Sequence, residues 1–146
     1  MSFPALVLAA NRRIGLQALE IFLDVGWQPV ALIVPDGEKA DCVREMWDLL
    51  TGVPVFEGKA FCSPTNIDQL RALHPDYILS VHFPYLIPSE ILAIPAIGTL
   101  NLHPAYLPYN RGWHTPTWAI YEGTPFGATL HWVDKGVDTG DIALQE

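Results

Sequence analysis

Apolar runs of strand length alternate with stretches of helical periodicity through the first hundred residues, and few folds accept that order. Residues 5–10 are a continuous apolar run, as expected of a parallel strand buried on both faces. Leu16, Leu19, Ile21, Phe22 and Leu23 then recur at roughly helical spacing over residues 14–25, and Gly26 stops that helix. Residues 29–34 read as a second strand, 38–50 as a second helix and 53–56 as a short third strand, which already gives β-α-β-α-β. Thr65 or Asn66 caps a helix through Leu73, residues 77–81 form a fourth strand, 89–94 a short helix, and a further strand ends at His103. This order predicts an α/β fold, a Rossmann-like open, mostly parallel sheet with helices on both faces.

Size and charge narrow the partners. A chain of 146 residues is one domain's worth, and with half its residues apolar and 16% charged it can fill a core. No apolar stretch approaches the roughly 20 residues of a membrane span, and no basic segment precedes the short apolar run at the start. The expectation is a cytoplasmic protein that does not engage a membrane. A net charge of −8 with only eight Lys and Arg gives no basic patch of the kind that neutralises a phosphate backbone, so nucleic acid is not expected as a partner. Cys42 and Cys62 share no metal-ligand spacing and read as reduced thiols; no metal site is expected.

The polar residues with chemical potential cluster late in the chain. Asn101 and His103 stand two positions apart at the end of an apolar strand, so amide and imidazole share a face. Asp138 follows a strand-like run over residues 126–133 and sits in a turn between Gly136 and Gly140. Two donors and a carboxylate suit acyl transfer to an amine. The donors stabilise charge developing on a carbonyl oxygen, and the carboxylate manages the proton that the attacking nitrogen must lose. The same residues also serve turns and strand ends, so spacing alone leaves both uses open.

Three other segments fall where strands of an open sheet hand over to loops and ligands bind. Asn11 and Arg12 precede a helix whose free N–H groups favour anions, with solvent-facing arginines as the rival reading. No GxGxxG pattern supports a dinucleotide there. The loop over residues 81–88 is unusually apolar, as pocket walls are, although core packing explains Phe83, Tyr85, Leu86 and Ile87 equally simply. Pro104, Pro108 and Pro116 stiffen the loop that holds Tyr109, Asn110 and Arg111; Arg111 could grip an anion or make a structural ion pair. His82 reads as structural. His131 alternates with Leu130 and Trp132 on a strand and reads as scaffold, and Trp113 and Trp118 as packing.

The run Asn101-Leu-His-Pro-Ala-Tyr-Leu-Pro-Tyr-Asn-Arg-Gly112, with Gly127-Ala-Thr-Leu-His131 and Val137-Asp-Thr-Gly-Asp-Ile142, resembles the folate-dependent formyltransferase family. The wording Tyr-Asn-Arg-Gly is most similar to the sugar-nucleotide N-formyltransferases. The resemblance implies that Asn101, His103 and Asp138 are the catalytic residues and 10-formyltetrahydrofolate the formyl donor, with no metal. It implies a folate slot walled by Phe83, Tyr85, Leu86 and Ile87 and by Val133, Asp134, Lys135, Gly136 and Val137. The acceptor it implies is a small-molecule amine, first of all a sugar nucleotide, with Asn11, Arg12, Tyr109, Asn110 and Arg111 as contacts. Methionyl-tRNA, glycinamide ribonucleotide, hydrolysis of the donor, and a non-catalytic ligand-binding domain are the alternatives. Homodimerisation occurs in the family and is carried as an option. The expectation is a single formyltransferase catalytic domain over residues 1–146, lacking the C-terminal strands and helix that complete it in the family.

Overall fold

The structure, a computed structural model, describes residues 2–146. Contacts gather into two compact units, one ending at Thr99 and the other spanning Leu100–Glu146. Among the described residues no helix is long and apolar enough to cross a membrane.

In the first unit, β1 (Leu6–Ala10), β2 (Ala31–Val34), β3 (Val55–Glu57) and β4 (Tyr77–Val81) pair in parallel in the order β3-β2-β1-β4. All of β1 and β2 is buried, which is why both read as unbroken apolar runs. One face packs Val7, Ala9, Ile33 and Ile78 against Ile67 and Leu70 of α3 (Pro64–Ala72) and Ile91 of α4 (Ser89–Leu92). On the other face lies α1 (Arg12–Asp24), burying Gly15, Leu16 and Leu19. A Cβ added at Gly15 would stand 3.0 Å from the Cβ of Ala10, so the missing side chain lets helix and strand approach. Helices therefore cover both faces, as the alternating pattern predicts.

Two local readings are corrected. The expected helix over 38–50 is broken into a 3-10 turn at Gly37–Lys39 and α2 (Val43–Asp48), with Cys42 between them in a left-handed conformation, φ 58°. The cause is a long-range clamp: the buried Asn11 side chain donates to the Lys39 carbonyl at 2.9 Å and accepts from the Asp41 N–H at 3.0 Å, and holds the chain out of helix. The cap of α3 is Ser63, whose hydroxyl accepts from the Asn66 N–H at 3.3 Å ahead of Pro64 in the first turn, rather than Thr65 or Asn66.

In the second unit β5 (Gly98–His103), which starts at its margin, pairs antiparallel with β6 (Thr129–Trp132), and β6 pairs antiparallel with β7 (Ile142–Gln145). Between β5 and β6 run the Pro-rich loop and α5 (Thr115–Glu122). Neither α5 nor β7 follows from the sequence reading above. The signals for α5 were present: Pro116 in its first turn and Gly123, φ 65°, just past its end.

Candidate active site

All three expected catalytic residues lie in the second unit and meet. Asn101 and His103 project from β5, and Asp138 reaches them from the turn between β6 and β7, itself left-handed at φ 51°. Asn101 Nδ2 donates to Asp138 Oδ1 at 3.4 Å. His103 Nδ1 stands 3.5 Å from Asp138 Oδ2. Two further groups complete the set. Gly112 N–H donates to Asp138 Oδ2 at 2.9 Å, and His131 Nε2 stands 3.4 Å from Asp138 Oδ1 and 3.2 Å from Asn101 Nδ2.

Asp138 thus collects four partners, the full acceptor capacity of a carboxylate, while its side chain is only 13% exposed. Burial on its own would push this carboxyl up; the hydrogen bonds from His131 and Gly112 and the field of the two imidazoles outweigh it and hold Asp138 below the ordinary range. His131 moves the opposite way. Its burial favours the neutral ring, but the bond to Asp138 and the contact of Nδ1 with the Trp132 carbonyl at 2.9 Å raise its pKa. The outcome is an ionised carboxylate, poorly solvated and held by two amide donors and two imidazoles.

The contacts that His131 and the Gly112 amide make with Asp138 are what sequence reasoning did not supply. Alternation along β6 correctly places His131 on the buried face, but only strand pairing reveals that Asn101 stands directly opposite it. Pairing across an antiparallel ladder makes such opposed residues touch.

The loop around the site is braced by hydroxyls. Thr129, fully buried, donates to the Ala105 carbonyl at 2.7 Å and accepts from Leu107 N–H at 3.1 Å and Gln145 Nε2 at 2.9 Å. Thr115 donates to the Pro104 carbonyl. Past β6, Asp134 accepts from Gly136 N–H at 2.8 Å and Thr139 Oγ1 at 2.6 Å, which folds the turn that presents Asp138 and lowers the Asp134 pKa, the Thr139 bond being the larger cause. Asp134, Lys135, Gly136 and Val137 are exposed on that turn, and Val133 is half-buried.

The other expected site residues distribute as follows. Tyr109 and Arg111 are exposed on the Pro-rich loop, whereas Asn110 is engaged twice, through its carbonyl and its side chain. In the first unit, Phe83 is buried edge-on against Phe61, with ring centroids 5.4 Å apart. Tyr85 bonds to Asp36 at 2.9 Å beneath Lys39, whose Nζ lies 4.8 Å from the ring centroid. Ile87 packs on the core and Leu86 is 84% exposed. Asn11 is committed to the clamp on Lys39 and Asp41, and Arg12 is exposed while its N–H donates to the Asp41 carbonyl at 2.9 Å.

Comparison with known proteins places the chain in a family. The formyl transferase family matches residues 28–146. The chain belongs to the formyl transferase family. A methionyl-tRNA formyltransferase of Syntrophus aciditrophicus (strain SB) is 30% identical over 155 residues, which cover all of this chain and 49% of that protein. The chain therefore spans about half the length of the curated relative. Among solved structures, phosphoribosylglycinamide formyltransferase from Streptococcus pneumoniae TIGR4 superposes with a TM-score of 0.77 at 24% identity, over 99% of this chain and 81% of that one. A sugar N-formyltransferase from Shewanella sp FDAARGOS_354 gives 0.74 at 20% identity, over 97% of this chain and 55% of that one. At these identities the superpositions show a shared formyltransferase fold.

Proposed function

We propose that this chain moves the formyl group of 10-formyltetrahydrofolate to a primary amine, and that the amine is carried by a nucleotide-linked amino sugar. The observation that carries the transfer step is the meeting of Asn101, His103 and Asp138 within hydrogen-bonding range of one another's partners. The amine nitrogen attacks the formyl carbon, the bond from that carbon to the folate nitrogen breaks, and one proton passes from the attacking to the leaving nitrogen. Asn101 donates to the formyl oxygen while it carries negative charge, and the His103 imidazole, paired with Asp138, stabilises the same charge through space. Asp138 orients His103 and anchors the path of the proton. No side-chain nucleophile is required, because the amine attacks directly.

The wording Tyr109-Asn110-Arg111-Gly112 and the net charge of −8 support the sugar-nucleotide acceptor over a polyanion. A second reading has its own support, since the 30% identical relative carries the name methionyl-tRNA formyltransferase. One assay separates them. Purified protein with 10-formyltetrahydrofolate is offered nucleotide-linked amino sugars, glycinamide ribonucleotide, methionyl-tRNA or no acceptor, and tetrahydrofolate release and formylated product are measured together. A formylated amino sugar is expected. Formylation of methionyl-tRNA or of glycinamide ribonucleotide alone would replace the acceptor, release without an acceptor would mark a hydrolase, and no turnover with any would overturn transfer.

A further inference from the structure

One short stretch of main chain touches both ionisable partners of the site. The Asn110 carbonyl lies 3.0 Å from His103 Nε2, and the Gly112 N–H donates to Asp138 Oδ2 at 2.9 Å. That carboxylate oxygen is the one facing His103 Nδ1. The pair is thus closed from outside by residues 110–112. Left-handed backbone at Asn110, φ 54°, and at Gly112, φ 85°, shapes the stretch so that a carbonyl and, two residues on, an amide both reach the pair. Glycine enters that region freely, and asparagine more readily than most residues.

The Asn110 side chain has a separate attachment. Its Nδ2 donates to Thr124 Oγ1 at 2.7 Å, and Thr124 follows the Gly123 that closes α5, with its own N–H on the Ala119 carbonyl at 3.1 Å. The carbonyl that meets His103 is therefore tied to the end of a helix rather than carried on a free loop. We propose that Asn110 is a positioning residue: anchored by Thr124, its main-chain carbonyl holds His103 Nε2 and so keeps the imidazole turned with Nδ1 toward Asp138. This assigns Asn110 to the enzyme's own architecture instead of to the acceptor. It rests on the reading of His103 as a participant in formyl transfer. Loss of the carbonyl partner would free the ring to rotate, and a misplacement of about 1 Å at such a group costs on the order of a hundredfold in rate.

The test uses three substitutions and two readouts. Thr124→Val removes the anchoring hydroxyl at nearly constant shape, Asn110→Gly keeps the left-handed backbone without the side chain, and Asn110→Asp leaves an acceptor for the Thr124 hydroxyl. Ring nitrogen NMR resonances of His103, assigned by their loss in His103→Gln, are recorded beside kcat and the acceptor KM. Thr124→Val and Asn110→Gly are expected to shift the His103 resonances and lower kcat about tenfold to a hundredfold at unchanged KM. Asn110→Asp should recover both, and the double variant should be no slower than the slower single one. Melting curves establish that each variant is folded; if Asn110→Gly is not, Thr124→Val decides alone. Unmoved His103 resonances in a folded variant, or a rise confined to the acceptor KM, overturns the proposal. If the unaltered protein transfers no formyl group while the resonances still move, the transfer reading fails and the positioning role stands.

Discussion

Asn11 follows β1 and Asn101 lies within β5, and both have their side chains engaged, yet their partners differ in kind. Asn11 spends its carbonyl and amide on the main chain of Asp41 and Lys39. Asn101 spends one amide N–H on Asp138 and lies against the ring of His131, and both of those side chains change charge. The first arrangement fixes a loop once, because main-chain partners have no second state. The second can be rearranged when a substrate or a proton arrives. The identity of a buried polar residue says little about its use; the chemistry of what satisfies it says a great deal.

The sharpest way to break that contrast is Asp138→Asn. The amide retains the shape but loses the charge that gathers Asn101, Gly112, His103 and His131, and its NH2 would confront donors. Formyl transfer should fall by about a thousandfold or more, with the circular dichroism spectrum unchanged; near-normal turnover would remove Asp138 from the chemistry. Next in size is the pair of asparagines themselves. Asn101→Ala should lower kcat by on the order of a hundredfold with little loss of stability. Asn11→Ala should leave kcat within a few-fold and cost about 1 kcal/mol in urea denaturation, since the exposed Lys39 and Asp41 can turn to water instead. An Asn11→Ala enzyme that is stable but slow would dissolve the distinction.

The smallest effect is a pH profile of stability. His131, with its folded pKa raised, stabilises fully below its unfolded value of about 6.5 and loses that contribution as pH rises through the folded one. Asp138, with its folded pKa lowered, stabilises above its unfolded value of about 3.9 and loses that contribution as pH falls through the folded one. Both contributions are present together between about pH 4 and 6.5. Thermal melts should show His131→Gln flattening the alkaline side and, because His131 also helps to hold the Asp138 pKa down, part of the acid side; an unchanged alkaline slope would mean that His131 is not stabilised as a cation.

What the sequence disclosed, and what it hid, divides along contact range. The strand at Tyr77–Val81 and the shared face of Asn101 and His103 rest on local periodicity, and both were legible. The break in the expected second helix was not, because it depends on Asn11 reaching Asp41 and Lys39, some thirty positions away in the chain, and nothing local to residues 38–50 announces it. The contacts of His131 were hidden for the same reason: its alternation with Leu130 and Trp132 is a true strand signal, but its facing partner Asn101 lies on another strand. The meeting of Asn101, His103 and Asp138 was expected because family resemblance supplied the long-range information that periodicity lacks.

The Thr129 hydroxyl has one proton and two lone pairs, and all three are used, on Ala105, Leu107 and Gln145. A door needs a fixed jamb. Swinging the Pro-rich loop about a point before Ala105 would break two of the three contacts of this fully buried atom and leave it Gln145 alone. Beyond Leu107 the loop makes an exposed turn bond, from Tyr109 N–H to the Tyr106 carbonyl at 3.1 Å, before it reaches Asn110. The loop is therefore pinned at its base by one buried atom, and amide hydrogen exchange should find Leu107, bonded to that atom, slower than Tyr109, whose bond to the Tyr106 carbonyl lies on an exposed turn.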